Sequence, residues 1–203
     1  MLLSKMHAKQ TGFTLIELLF AITLLAVIAG IGLPNLQEFV RNSRMSAAAN
    51  DIISDFNFAR SEAVKRRVPI TLCKSQDGAA CDADDTDPFN RWIIFVDDAD
   101  PAVVAATDGD GEVDGGEVIL RDRAVPESIT VVTDADEIRA IFLPTGFPVI
   151  ETENVNRFVL CDVRGNVVAA GGDSAARAIE VLSTGRPSVF RSQATVTAFG
   201  GCP

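Results

Sequence analysis

Histidine is almost absent from this chain, tyrosine is wholly absent, and tryptophan occurs once. The single histidine, His7, lies near the N-terminus, and the four cysteines form no C-x-x-C pair. A His–Asp–Ser relay, a Cys–His dyad and a His-rich metal site all need side chains that the rest of the chain lacks. No glycine-rich phosphate cradle is present either. Basic charge is also scarce: 18 Lys and Arg stand against 28 Asp and Glu, a formal net charge of -10 over 203 residues. A general nucleic-acid coat needs a net basic surface, so only a local basic patch remains open. These absences argue against an enzyme and imply no cofactor and no small-molecule substrate.

What is present is apolar. The composition is 47% hydrophobic and 23% charged, that of a chain that folds. The length suits one domain of ordinary size with an appendage. From Phe13 to Leu33, just before Pro34, the only charged residue is Glu17. A helix of that length is about 30 Å long, the thickness of a bilayer core. The preceding segment carries Lys5 and Lys9 and no acid, so it stays cytoplasmic and the remainder is exported. The run is too long and too apolar for a core helix. A cleaved signal peptide and a plain uncleaved anchor remain as alternatives, although Val27-Ile28-Ala29-Gly30 makes a poor small-x-small cleavage site. Neither accounts for Glu17, because a carboxylate in a membrane segment costs about 2.5–3.5 kcal/mol and needs a partner.

The string Lys9-Gln10-Thr11-Gly12-Phe13-Thr14-Leu15-Ile16-Glu17 closely resembles the class III leader of type IV pilins and type II secretion pseudopilins. The resemblance implies cleavage by a prepilin peptidase between Gly12 and Phe13, then N-methylation of Phe13. Residues 1–12 are then a removable leader, 13–34 a transmembrane and filament-core helix, and 35–203 a periplasmic head. Glycine leaves the scissile backbone unencumbered. The new α-amino group on Phe13 is a cation one helical turn from Glu17. In a filament, that carboxylate neutralises the amine of a neighbouring subunit, which offsets the desolvation of both and helps set register.

After Pro34, Leu36, Phe39, Val40, Met45, Ala48, Ile52, Phe56, Ala59 and Ala63 recur at helical steps, which predicts an amphipathic helix over 35–67 ended by Pro69. Pro34 is expected to kink the combined helix. From Pro69 onward the pattern turns to short β-like runs: 69–74, 91–97, 117–121, 128–133, 138–143, 157–161, 166–170, 177–183 and 194–199. The fold class is α+β, a long N-terminal helix packed on an antiparallel β-rich head. Cys73, Cys81, Cys161 and Cys202 suit two disulfides in an oxidising compartment. Cys73–Cys81 would close a small loop and Cys161–Cys202 would pin the C-terminus, but the three possible pairings stay open. Asp108, Asp110, Glu112 and Asp114 alternate like a calcium loop. Val113 replaces the required glycine and Ile119 the terminal glutamate, so a solvated acidic turn is the plainer reading.

Further segments are similar to the GspH/FimT family of minor pseudopilins: Arg67–Cys73, Arg91–Asp97, Phe142-Leu143-Pro144-Thr145-Gly146, Cys161-Asp162-Val163-Arg164-Gly165 and Ser183-Thr184-Gly185-Arg186-Pro187. The resemblance implies a structural subunit of a type II secretion pseudopilus or related type IV pilus. Its partners would be other pseudopilins or pilins, a prepilin peptidase and the bacterial inner membrane. Some relatives bind DNA through a basic Gly-Arg-x-Arg tail. Here Ser188 replaces the second arginine, which leaves Arg186 and Arg191 for a weak, salt-sensitive DNA contact.

Overall fold

In the computed structural model the described residues are 13–82, 91–97, 111–113, 116–133, 139–149, 157–168 and 172–202. Helix α1 runs Leu15–Arg66. It is followed by β1 (Ile70–Lys74), β2 (Arg91–Val96), β3 (Ile119–Ala124), β4 (Thr130–Thr133), β5 (Arg139–Phe142), β6 (Arg157–Cys161), β7 (Arg177–Val181), β8 (Pro187–Phe190) and α2 (Gln193–Ala198). The chain divides by its contacts into an N-terminal unit ending at Arg41 and a head beginning at Asn42.

The start and stop of α1 are both legible in local chemistry. Thr14 Oγ1 accepts a hydrogen bond from the Glu17 N–H at 3.3 Å, so Thr14 and Glu17 stand as the first and fourth residues of a capping-box pattern. Pro34 lies inside the helix, which continues through it to Arg66. At the far end Arg67 adopts φ 62, a left-handed stop, and Pro69 forbids a further turn. Lys65 Nζ and Arg66 Nε hold Glu62 at 3.1 and 2.6 Å, and these donors keep its carboxyl below the usual carboxylate range.

The head has two four-stranded antiparallel sheets, ordered β3-β2-β1-β5 and β4-β6-β7-β8. Their inner faces and the apolar stripe of α1 form one core. Met45, Ala48, Ala49, Ile52, Phe56, Ala59 and Ala63 meet Ile70, Leu72, Trp92, Ile94 and Phe142 of the first sheet, with Phe158, Leu160 and Ile179 of the second. Phe56 sits edge-on to Phe142 and Phe158, one ring from each sheet, at 6.1 and 5.3 Å. Each sheet also has a second apolar cluster on its outer face, and each cluster includes a disulfide: Cys73–Cys81 beside Ile93 and Phe95, and Cys161–Cys202 beside Val159, Ala178, Val196 and Phe199.

One buried carboxylate lies within the helix–sheet contact. Asp55 is fully buried and accepts from Trp92 Nε1 at 2.8 Å, Arg121 Nη1 at 2.6 Å and Arg123 Nε at 2.6 Å. Asp55 raises the pKa of Arg123 above its ordinary value. The Arg121 guanidinium also stacks over Phe58 at 3.6 Å.

The sequence reading of the elements needs correction at four places. Residues 194–199 are not a strand but form the short helix α2. Ser192 caps it, accepting from the Thr195 N–H at 3.1 Å, and this local bond overrides the β-propensity of Thr195, Val196 and Thr197. Segment 166–170 is no strand over its described residues. Asn166 Nδ2 donates to Thr197 Oγ1 and Asn166 Oδ1 accepts from Ser174 Oγ, which draws the chain off the ladder and leaves one isolated bridge, Val168 to Ser174. Strand β8 opens on Pro187, a residue that the sequence pattern reads as a strand boundary. Proline is tolerated there because β8 lies at the edge of its sheet. The 117–121 run also shifts, since β3 carries on through Arg121, Asp122 and Arg123 to Ala124.

These contacts generate three predictions. Asp55→Ala removes the acceptor of two guanidinium groups and strands the Trp92 N–H. It should destabilise the chain by about 3 kcal/mol in denaturant titration. Removing the Cys161–Cys202 bridge opens a loop of sequence separation 41 and should cost about 4 kcal/mol. Removing Cys73–Cys81, separation 8, should cost about 2.5 kcal/mol by the same titration.

Candidate functional site

Three regions carried functional expectations: the N-terminal processing segment, the acidic loop and the C-terminal tail. In the first, Gly12 lies outside the described residues, and Phe13 and Glu17 are exposed. The polar side chains of the run behave differently from one another. Thr14 caps the helix, and the Thr23 hydroxyl donates to Leu19 O at 3.0 Å and Phe20 O at 2.9 Å. Both are thereby satisfied within the helix. The Glu17 carboxylate has no partner among the described residues. The large apolar side chains around it, from Phe13 to Leu33, are all exposed, so this half of α1 has no protein core of its own.

In the acidic loop, Asp108, Asp110 and Asp114 lie outside the described residues, and Glu112 is exposed. Gly111 between them is buried, and its N–H donates to Asp97 Oδ2 at 3.0 Å, while Thr71 Oγ1 donates to the same oxygen at 2.5 Å. The loop's described backbone is therefore tied to the end of β2. Among the described residues no group of His, Cys, Asp and Glu is placed to hold a metal ion.

The tail arginines are held apart. Arg186 precedes β8 and Arg191 follows it, so about 16 Å of extended chain separates them. Arg186 belongs to a turn in which Leu182 N donates to Arg186 O at 3.1 Å and Gly185 N to Leu182 O at 2.7 Å. The turn after β5 repeats this pattern: Leu143 N to Phe147 O at 2.9 Å and Gly146 N to Leu143 O at 2.8 Å. The sequences match as well, Leu143-Pro144-Thr145-Gly146-Phe147-Pro148 against Leu182-Ser183-Thr184-Gly185-Arg186-Pro187. Both glycines have positive φ, +79 and +74, which the turns require. Arg60 of α1 donates from Nε to Gly146 O at 3.0 Å and packs its Cδ against Gly185, joining a turn from each sheet to the helix. Arg191 lies elsewhere, with Nε 3.5 Å from Asp173 Oδ2. The sequence reading missed Arg60; the repeated L-x-T-G-x-P motif was the available signal.

The family model of the type II transport protein GspH matches residues 48–185, and the prokaryotic N-terminal methylation motif matches residues 7–33. The chain belongs to the GspH family. Among curated proteins it is similar to prepilin peptidase-dependent protein D of Escherichia coli K12, at 36% identity over 76 residues, 36% of this chain and 44% of that one. It is also similar to fimbrial protein EcpC of Eikenella corrodens, at 49% identity over 41 residues, 20% of this chain and 27% of that one. The chain thus spans less than half the length of these curated relatives. Among solved structures it is similar to the type IV minor pilin FimU of Pseudomonas aeruginosa PAO1. Identity is 19% and the TM-score 0.47, over 77% of this chain and 94% of FimU. As a GspH-family protein that also carries the N-terminal methylation motif, the chain belongs to the pilin and pseudopilin class of type IV pili and type II secretion.

The paired turns generate a direct test. A Cβ on Gly185 would stand 2.8 Å from Gly146 O, with φ at +74. Gly185→Ala should therefore cost about 2 kcal/mol in a denaturation titration. Gly172→Ala, equally left-handed but with no atom within 4 Å, should cost less.

Proposed function

We propose that this chain is a minor pseudopilin that helps initiate or cap a filament, in a type II secretion pseudopilus exporting proteins across the outer membrane or in a related type IV pilus. Residues 1–12 are the leader, cut between Gly12 and Phe13 on the cytoplasmic side, and Phe13 is then N-methylated. Residues 13–34 cross the inner membrane and later enter the filament core, and 35–203 form the periplasmic head. The observation that carries the reading is Glu17: every other polar side chain in the apolar run is satisfied by the helix, and this carboxylate is not. The cationic amine of a neighbouring subunit's Phe13 would complete it, and the ion pair would select the axial register between subunits.

A second reading gives the tail a DNA contact, as in a FimT-like minor pilin for DNA uptake. What supports it is Arg186, exposed on a turn beside Arg60 of α1. Against it stand the strand between Arg186 and Arg191 and the carboxylate of Asp173 beside the latter. A DNA gel shift that falls with salt and with Arg186→Ala would favour this second reading.

The assembly reading is tested at Glu17 with two substitutions, because the residue also stands at a capping position. Glutamine can serve the capping box but cannot pair with an amine. Glu17→Gln and Glu17→Ala should therefore abolish incorporation into filaments alike, measured by shearing and immunoblotting of the filament fraction. Normal incorporation of Glu17→Gln would show that the carboxylate charge is not used.

A further inference from the structure

Within the head, the exposed face of α1 carries a cleft of about 400 Å3, lined by Asn57, Arg60, Ser61, Val64 and Lys65. The turn after β5 sits directly on it. Arg60 Nε donates to Gly146 O at 3.0 Å, and a Cβ on Gly146 would stand 2.9 Å from Val64 Cγ2. The twin turn after β7 touches the same arginine at Gly185. Between them the two turns leave Leu143, Phe147 and Leu182 exposed, and Val64 in the cleft is 50% exposed. None of these four apolar side chains belongs to the head's buried clusters.

The charge around the cleft is basic, and little of it is neutralised. Arg60 binds a backbone carbonyl, not an acid. Arg186, exposed beside Gly185, meets no carboxylate among the described residues. The Lys65 side chain is 74% exposed and shares the single carboxylate of Glu62 with Arg66. The chain also contains the inverse of this surface. Segment 98–110 carries Asp98, Asp100, Asp108 and Asp110 and no Lys or Arg, and between the two acidic pairs runs Pro101-Ala102-Val103-Val104-Ala105-Ala106. Both flanks of that segment are fixed. Asp97, just before it, accepts from Thr71 Oγ1 and from the N–H of Gly111, just after it. By strand alternation Thr71 shares the outer face of the first sheet with Cys73, the face turned away from α1. The flanks therefore lie across the sheet from the cleft of the same chain, which selects the cleft of a second copy.

We propose that the Arg60–Val64 cleft is a docking site for segment 98–110 of a second copy of this chain. The apolar stretch around Val103 seats on Val64 and Phe147, and the flanking aspartates pair with Arg60, Lys65 and Arg186. Acid–apolar–acid thus meets base–apolar–base, and this complementarity sets both partner and register. A cleft of this size admits a few side chains rather than a duplex, which favours a polypeptide over DNA. Groove and segment are different surfaces of one head, so the contact is head-to-tail and repeats along a row of subunits without closing. It lies wholly in the head and does not depend on Glu17, so it goes beyond the assembly reading.

The test uses the full chain in detergent micelles, with the photo-cross-linker benzoylphenylalanine introduced as Val103→benzoylphenylalanine. Isotopically light and heavy chains are mixed, irradiated and digested. Mixed light–heavy fragments should join residue 103 to 57–65 or to the turns at 143–147 and 182–186, and gels should show a ladder rather than a lone dimer. The same cross-linker at the exposed Val163 should give no such fragments. Lys65→Gln with Arg186→Gln removes charge at two exposed positions and should cut the mixed cross-link about tenfold. High salt should do the same. An unchanged thermal melt of that double variant shows that the loss is not unfolding. Cross-links confined to one chain, cross-links elsewhere on the head, or a yield indifferent to the two substitutions would overturn the proposal. So would protection of the cleft by duplex DNA without any mixed cross-link, which would give this surface to the DNA reading. Glu17→Gln should leave the cross-link intact, so its outcome and that of the filament assay are read separately.

Discussion

The carboxylate of Asp55 joins the helix to the first sheet, and the geometry of the head depends on that join. It lies on the same helix face as Ile52, Phe56 and Ala59, where an unpaired charge would be prohibitive. Trp92 of β2 and Arg121 and Arg123 of β3 supply donors that make it tolerable. The pairing fixes α1 against one sheet, and the rings around Phe56 bring in the other. Glu17 is a second carboxylate on the same helix, placed among apolar side chains and given no such donors. A buried or lipid-facing charge is normally satisfied, so the one left unsatisfied is where an external partner is expected.

The helix is also divided by solvent. Its first half has apolar side chains on all sides and none of them buried, while its second half buries a single stripe. That division suits a subunit that resides in lipid before it resides in a filament. The fixed order of contacts along α1 then gives the head two distinct ends. Arg60 gathers the paired glycine turns at one end, and Asn42 holds the 162–165 turn through Arg164 at the other. Strand β8 runs between them, so the two arginines of the tail serve different surfaces.

Much of this was legible in the chain beforehand. The apolar run with one acid, the helical spacing from Met45 to Ala63 and the Val/Ile-rich runs at 91–97 and 157–161 express periodicities that tertiary packing does not override. The failures occurred where local hydrogen bonding or charge decided the outcome. Ser192 capped a Thr-rich segment into α2, Asn166 pulled its neighbours off the ladder, and β3 kept going through Arg121 and Arg123 because Asp55 awaited them across the contact. Of the candidate site, the Gly12–Phe13–Glu17 pattern could be read directly, because its chemistry is local. Asp55, Arg60 and the Arg164–Asn42 bond could not, since each joins residues far apart in sequence.

The account stands or falls on what happens to the N-terminus in the cell. N-terminal sequencing and intact mass of the chain extracted from membranes measure it directly. The account predicts a chain beginning at an N-methylated Phe13 with the leader gone and the apolar helix retained. A chain beginning at Met1, or one cut after the apolar run, would contradict it.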